Sequence, residues 1–262
     1  VYSELIQNRA FQGTSVNSNQ GPYQNLQYWH TSGSDTLNLD NDAPLLTSAL
    51  PWHMKVDVSN GAGGPTGFWN EGYWGMNVTT ATRYTASFYL RGSYKGEILA
   101  AFWSNTTESM LGSTSFSVDQ TEADGWVPYS QTFIPASSAP DGNNTFHITF
   151  DGASTAGTSL RFHMISAFQQ TFKNSNNGLR IDLAEAVSEL GGKYLRLPGG
   201  NNIEGIAAPY QWKWNETVGP IITRPGRSGT WGYVNTDGLG LLEMMQVCLN
   251  PRFKLKLSIL TK

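Results

Sequence analysis

The segment Leu195-Arg-Leu-Pro-Gly-Gly-Asn-Asn-Ile-Glu-Gly205 is the part of the chain best equipped for chemistry. A short strand, Lys193-Tyr-Leu-Arg-Leu197, runs into a loop that bears amides and a carboxylate. In an α/β barrel, side chains at the C-terminal ends of strands and in the loops that follow form the active site. Arg196 and Asn201 stand at such a strand end, where a guanidinium and an amide can fix a polar ligand. Gly199 and Gly200 let the backbone turn sharply and leave space for that ligand. The same residues also suit a structural ion pair at Arg196 and a simple turn at Asn201, and the residues alone leave both readings open.

Aromatic residues are the second chemical signal. The chain holds 9 Trp and 11 Tyr beside many Ser, Thr, Asn and Gln. Sugar rings stack their C–H faces on aromatic faces and bond their hydroxyls to amides, so this mixture fits a neutral carbohydrate. Trp69, Trp74 and Trp103 are candidate platforms, with core packing as the competing role for each. HExxH, GxSxG and P-loop patterns are absent. Gly61-Ala-Gly-Gly-Pro-Thr-Gly67 lacks phosphate-loop spacing and reads as a flexible loop. Asp40-Asn-Asp42 offers oxygens to a hard cation but lacks a full ligand series, so an ordinary turn is the preferred reading. The single cysteine, Cys248, allows neither an internal disulfide nor a cysteine zinc cluster. No cofactor and no metal are expected.

Bulk properties narrow the partners. Charged residues are 14% of the 262, below the usual quarter or so. Net charge is −3, which provides no field to gather nucleic acid or anionic lipid. The basic residues Arg252, Lys254, Lys256 and Lys262 near the end read as a solvated tail. No apolar run approaches the length of about 18 residues that a membrane helix requires. The opening Val-Tyr-Ser-Glu-Leu lacks an initiator Met and any visible signal peptide, so a mature or partial product is expected. Sequons at Asn77, Asn105, Asn143 and Asn215 point to glycosylation and an extracellular location.

These residues need elements to hold them. From about 20 to 170, period-two runs predict half-buried strands. Tyr84, Ala86, Phe88 and Leu90 share one face, as do Phe146, Ile148 and Phe150, and Leu160, Phe162 and Met164. Turn signals at Asn60-Gly61 and Asp141-Gly142 complete the pattern of an antiparallel sandwich. After Asn177 the period changes. Leu179, Leu183, Val187 and Leu190 fall on one helical face, with Gly191 and Gly192 as the stop. A second helix is expected from Asp237, as N-cap, through Leu241, Leu242, Met245 and Cys248. This rhythm suits an α/β barrel or a doubly wound sheet. Glu4–Arg9 reads as a short helix or irregular segment outside the sandwich, which suggests that the sandwich is inserted into another domain.

Leu195–Gly205, Trp212-Lys-Trp-Asn-Glu-Thr-Val-Gly-Pro220, Arg224-Pro-Gly-Arg227 and Gly229-Thr-Trp-Gly-Tyr-Val-Asn-Thr-Asp-Gly-Leu-Gly-Leu-Leu-Glu243 together resemble glycoside hydrolase family 51. The opening Tyr2-Ser-Glu-Leu-Ile-Gln-Asn-Arg9 resembles a segment near the start of that family's barrel. The resemblance covers residues 1–12 and about 165–249, and the stretch between resembles the carbohydrate-binding-type module of the fungal branch. It implies an α+β multi-domain fold, with a jelly-roll, carbohydrate-binding-like sandwich (16–172) inserted near the start of an incomplete (β/α)8 TIM barrel. Residues 1–15 would belong to the barrel, and 173–262 would be its first α/β units. The implied activity is retaining hydrolysis of terminal non-reducing α-L-arabinofuranosyl residues of arabinoxylan or arabinan, without nucleic-acid or membrane partners. Arg196 and Asn201 match the family's sugar-positioning Arg and Asn, and Trp231 matches a pocket Trp.

The family's nucleophile and acid/base glutamates, about 5–5.5 Å apart in retaining enzymes, are expected beyond Lys262. Glu204 and Glu216 match neither, and a family glutamate upstream of residue 1 has no match here. Beyond Cys248 the sequence departs from the family, and Pro251 should break the helix. A carbohydrate-binding module with a vestigial barrel fragment is the alternative reading. The 262-residue polypeptide alone is therefore expected to leave an aryl α-L-arabinofuranoside intact. Turnover by the purified chain that Glu204→Gln abolishes would overturn this.

Overall fold

The computed structural model describes residues 2–13, 24–190, 194–248 and 254–257. Gly191, Gly192, Pro251, Arg252 and Lys262, with the helix stop and helix break expected there, lie outside the described residues. Ten strands run between Trp29 and Gln169: β1 (Trp29–Thr31), β2 (Thr36–Asp40), β3 (His53–Asp57), β4 (Pro65–Asn70), β5 (Tyr84–Arg91), β6 (Tyr94–Ser104), β7 (Ser109–Gln120), β8 (Val127–Phe133), β9 (Asn144–Asp151) and β10 (Ser159–Gln169). They form two antiparallel five-stranded sheets, in orders β1-β4-β9-β6-β7 and β2-β3-β10-β5-β8. A one-turn helix, α1 (Gly152–Thr155), links β9 to β10. Among the described residues no helix is long and apolar enough to cross a membrane.

The alternation read from the sequence holds the sheets together. Tyr84, Ala86, Phe88 and Leu90 are all buried, as are Phe146, Ile148 and Phe150. Their rings meet between the sheets, Phe88 on Phe116 at 4.9 Å and Phe68 on Phe162 at 4.8 Å. The third run departs from expectation. A bulge between His163 and Ser166 shifts the phase of β10, with Met164 at φ 48°. Ile165 and Ala167 then face the core, and Met164 packs instead with Ala10 and Leu50. An extra residue in one strand reverses every later side chain. His163, expected on the polar face, is buried. Its Nε2 faces the Leu50 carbonyl at 3.0 Å and its Nδ1 accepts from the Met164 N–H at 2.7 Å. Burial lowers its pKa to about 4, because protonation would charge a dry ring whose Nδ1 already accepts a bond.

The glycine-rich stretch is turn and loop over 61–64, as expected, but its end lies in a strand, Pro65–Asn70. Gly67, at φ 150°, sits so near β9 that a Cβ would lie 2.0 Å from the Ile148 carbonyl oxygen. The glycine permits close backbone approach there, not loop flexibility.

The opening segment packs into the sandwich core. Ile6 and Phe11 are buried in the same cluster as Trp29 and Phe68. Glu4–Arg9 is irregular, and it fastens to the bulged strand. Glu4 Oε1 accepts from the Ala167 N–H at 3.1 Å and the Ile6 N–H at 3.0 Å. Its Oε2 accepts from Ser166 Oγ at 2.6 Å and from Arg9 at 2.9 Å. The Arg9 carbonyl takes the Ile165 N–H at 3.1 Å. A period-two reading misses the segment because its apolar residues come in adjacent pairs, Leu5-Ile6 and Ala10-Phe11, with no alternation. Glu4→Ala strands Arg9 and two strand donors in a dry site, and is expected to cost about 3–5 kcal/mol in urea unfolding. A loss below about 1 kcal/mol would show that the knot contributes little.

Candidate functional site

Past β10 the chain makes a small apolar cluster of Leu179 and Ala184, covered by Phe172, Val187 and Leu239. Helix α2 (Ile181–Glu189) supplies one side of it. Leu190, expected on the same face, is 82% exposed. Next comes strand β11 (Tyr194–Leu197), then the left-handed glycines Gly199 (φ 69°) and Gly200 (φ 55°), then the one-turn helix α3 (Asn201–Glu204). A Cβ at position 199 would lie 3.1 Å from Arg196 Nε. The glycine therefore makes room for a guanidinium folded over its own turn. Arg196 and Asn201 are both exposed at this strand end. Trp231 is 61% exposed and stacks on Tyr233, with ring centres 6.5 Å apart. Among the described residues no hydrogen bond or ring contact joins Arg196, Asn201 and Trp231 to one another.

Beneath them lies a polar layer that the sequence reading missed. Arg227, buried, donates to Asn202 Oδ1 at 3.0 Å, and its Nε lies 3.3 Å from Asp237 Oδ2. Asn235 reaches the same Asn202 oxygen at 3.4 Å from β13 (Val234–Asn235), which pairs with β12 (Arg227–Ser228). Asn202, Arg227 and Asp237 border a cavity of about 90 Å³ with Leu197, Pro198 and Trp212. Burial raises the Asp237 carboxyl pKa despite Arg227 beside it. Asp237 is thus a pocket residue and not the expected N-cap. Helix α4 (Leu241–Cys248) starts later, where the Gly240 N–H donates to Glu243 Oε2 at 2.9 Å. That bond is the reaching-back half of a capping box, with Glu243 in the third helical position.

Glu243 also pairs with Arg224 at 2.8 Å and accepts from Asn177 at 2.9 Å. Burial pushes its pKa up, but the Arg224 and Asn177 bonds outweigh it and leave the carboxyl below its ordinary value. Glu216, in contrast, makes a surface pair with Lys213 at 2.8 Å. Among the described residues a parallel partner lies beside β11. Strand β14 (Lys254–Leu257) pairs with it in register from Tyr194↔Lys254 to Leu197↔Leu257. A parallel pair requires a crossover connection, here containing α4, which is the β–α–β arrangement.

The aromatic candidates separate. Trp69 lies between His30 (4.0 Å) and His147 (5.9 Å), nearly parallel to both, so its faces are taken. Trp103 tilts against His147 at 6.2 Å. Trp74 is 99% exposed at a positive-φ turn. At Asp40-Asn-Asp42 the turn reading accounts for the atoms. Asp40 Oδ1 accepts the N–H groups of Asn41 and Asp42 at 2.7 and 3.2 Å. Asp40, Asp42 and His53 do cluster, but Asp42 is held by Arg91 at 2.5 Å and Arg161 at 2.9 Å. Two guanidiniums on one carboxylate repel a further cation.

Sequence comparison places this geometry among known proteins. The chain is 43% identical over 248 residues to a probable α-L-arabinofuranosidase A of Aspergillus terreus, covering 95% of this chain. To the α-L-arabinofuranosidase A of Aspergillus niger it is 42% identical over 248 residues. A solved arabinose-bound α-L-arabinofuranosidase of glycoside hydrolase family 51 superposes on 99% of this chain, with TM-score 0.89 and 38% identity. In sequence and fold this chain is similar to the family 51 arabinofuranosidases. It spans 38% of the length of those curated relatives and 41% of the solved chain. The model of the α-L-arabinofuranosidase 1 domain matches residues 186–259.

That match passes Cys248, where departure from the family was expected, and β14 falls inside it. The alternation Lys254-Leu-Lys-Leu257 is a strand signal that the reading as a basic tail overlooked. Glu243→Gln leaves Arg224 buried without its counter-charge, and about 3 kcal/mol is expected to be lost at pH 7. Because the native carboxyl titrates below its ordinary 4.5, its stabilisation is full above that pH and withdrawn as the pH falls through the native value. Equilibrium unfolding of both forms at pH 7 and 3.5 should show the gap closing, and a gap that is constant with pH would contradict the assignment.

Proposed function

We propose that this chain is the sugar-positioning part of an α-L-arabinofuranosidase, a retaining glycoside hydrolase of family 51. The observation that carries this is the match of 95% of the chain, at 42–43% identity, to enzymes that bear that name. In this reading β11, α4 and β14 belong to the first units of a (β/α)8 barrel, and the antiparallel sandwich is a jelly-roll inserted near its start. The substrate is a terminal α-L-arabinofuranosyl group on arabinoxylan or arabinan. Arg196 and the Asn201 amide bond the furanose hydroxyls, and Trp231 walls the pocket. Arg227, Asn202 and Asp237 hold the strand end rigid under them. Retaining hydrolysis requires two carboxylates, and none in this chain is assigned to that work.

Secretion is part of the proposal. The four sequon asparagines, Asn77, Asn105, Asn143 and Asn215, are all exposed, which supports their glycosylation. A chimera tests the catalytic reading. This chain would replace the matching portion of the Aspergillus niger enzyme, and turnover of an aryl α-L-arabinofuranoside would be followed. Activity is expected, with kcat/KM falling on the order of a hundredfold in Arg196→Ala and Asn201→Ala. A folded chimera without turnover, or variants with unchanged kcat/KM, would overturn the assignment.

A further inference from the structure

The outer face of the β10-β5-β8 half of its sheet carries hydroxyls where the inner face carries rings. Register sets Ser166, Ser87 and Ser130 in one row across the three strands, and Phe168, Thr85 and Thr132 in the next. Thr85 and Thr132 bond each other at 3.1 Å. The segment that follows β10 and the turn at Ile221–Thr223 both border this face. Between them lies a groove of about 780 Å³, inside the range of about 300–1,000 Å³ usual for small-ligand pockets.

The chemistry of the walls selects the occupant. Among the described residues no carboxylate lines the groove, so no anionic group is there to hold a cation. Of its two guanidiniums, Arg9 is tied to Glu4 at 2.9 Å, which leaves Arg83, exposed and in no ion pair among the described residues. A single free positive charge above a floor whose backbone N–H groups are spent in the sheet is a poor anion site. Hydroxyls and the amides of Gln169 and Asn176 can exchange hydrogen bonds in both directions, which suits a ligand that is itself a polyol. The Tyr89 ring is partly buried against Ala10, Leu50 and Met164, makes no ring contact among the described residues, and presents its remaining surface to the groove, where it can meet sugar C–H groups. The Trp69 row lies on the other sheet, on β1, β4, β9 and β6, and spends its ring faces on itself.

We propose that this groove binds a neutral oligosaccharide, stacked on Tyr89 and bonded by Arg83 and the serine–threonine floor. The arabinofuranosidase reading is used only to choose pentose probes. The test is calorimetric titration of the 262-residue chain with xylohexaose, arabinohexaose and, as a charged control, a galacturonic acid hexamer. Saturable binding of a neutral hexamer is expected. Tyr89→Ala and Arg83→Ala should each weaken it about tenfold, equivalent to about 1.4 kcal/mol, while Trp103→Ala on the opposite sheet leaves it unchanged. Arg83 is exposed, so its variant stays informative if Tyr89→Ala disturbs folding. Three results would overturn the proposal: no binding of either neutral hexamer, binding of the acidic hexamer alone, or binding that depends on Trp103 and not on Arg83 and Tyr89. The chimera's turnover does not enter this assay, so the groove and the catalytic reading can fail separately.

Discussion

One buried carboxylate ties the ends of the sandwich story together. Glu4 sits at the bulge of β10, where an extra residue has pulled strand donors away from a regular ladder. Unpaired buried N–H groups are costly, and Glu4 and the Arg9 carbonyl answer those of Ala167 and Ile165. In return, the bulge admits a chain segment that lies more than 150 residues away in sequence. Phe11 and Ile6 ride in on that segment and fill the core. The same segment continues outward, with Tyr2 bridged to Leu179 and Gln12 bonded to the Pro225 carbonyl at 2.7 Å. The anchor of the sandwich is thus also its tether to the strand-end region.

A second charged pair organises that region. Arg224 and Glu243 lie almost dry, and between them they gather the 219–224 loop, Asn177 and the start of α4. Beside it, Arg227 links Asn202 to Asp237. Hydrophobic packing here is thin, with a core cluster of Leu179 and Ala184 and three neighbours. Geometry is therefore set largely by bidentate and charge-assisted bonds, which fix orientation as well as distance. In the proposed function this bonding steadies the strand end at which Arg196 and Asn201 are exposed.

The two surfaces proposed to meet sugar rest on two different devices. The strand end uses glycines at positive φ to fold a guanidinium over a turn. The groove uses the outward half of a β alternation, where core packing places no demand and hydroxyls can accumulate. Conversely, Trp69 contributes less than its size suggests, because it stacks on its own neighbours.

Elements governed by local periodicity can be read from the residues alone. The faces of β5 and β9, the change from strand to helix near Asn177, and the turn at Gly199-Gly200 were legible because each depends on neighbours within a few residues. So was the family resemblance, since its motifs are contiguous. Every arrangement built on distant partners, in contrast, emerges only in the folded chain. Met164 leaves the core because a bulge needs Glu4 and Arg9 to satisfy it. Asp237 leaves the helix cap because Arg227 claims it and Glu243 does the capping instead. Asn202 and Arg227 gain a supporting role beneath the strand end, and hydroxyls from three strands gain a shared groove. Periodicity reports which way a side chain points, whereas long-range hydrogen bonds and charge pairs decide what it meets there.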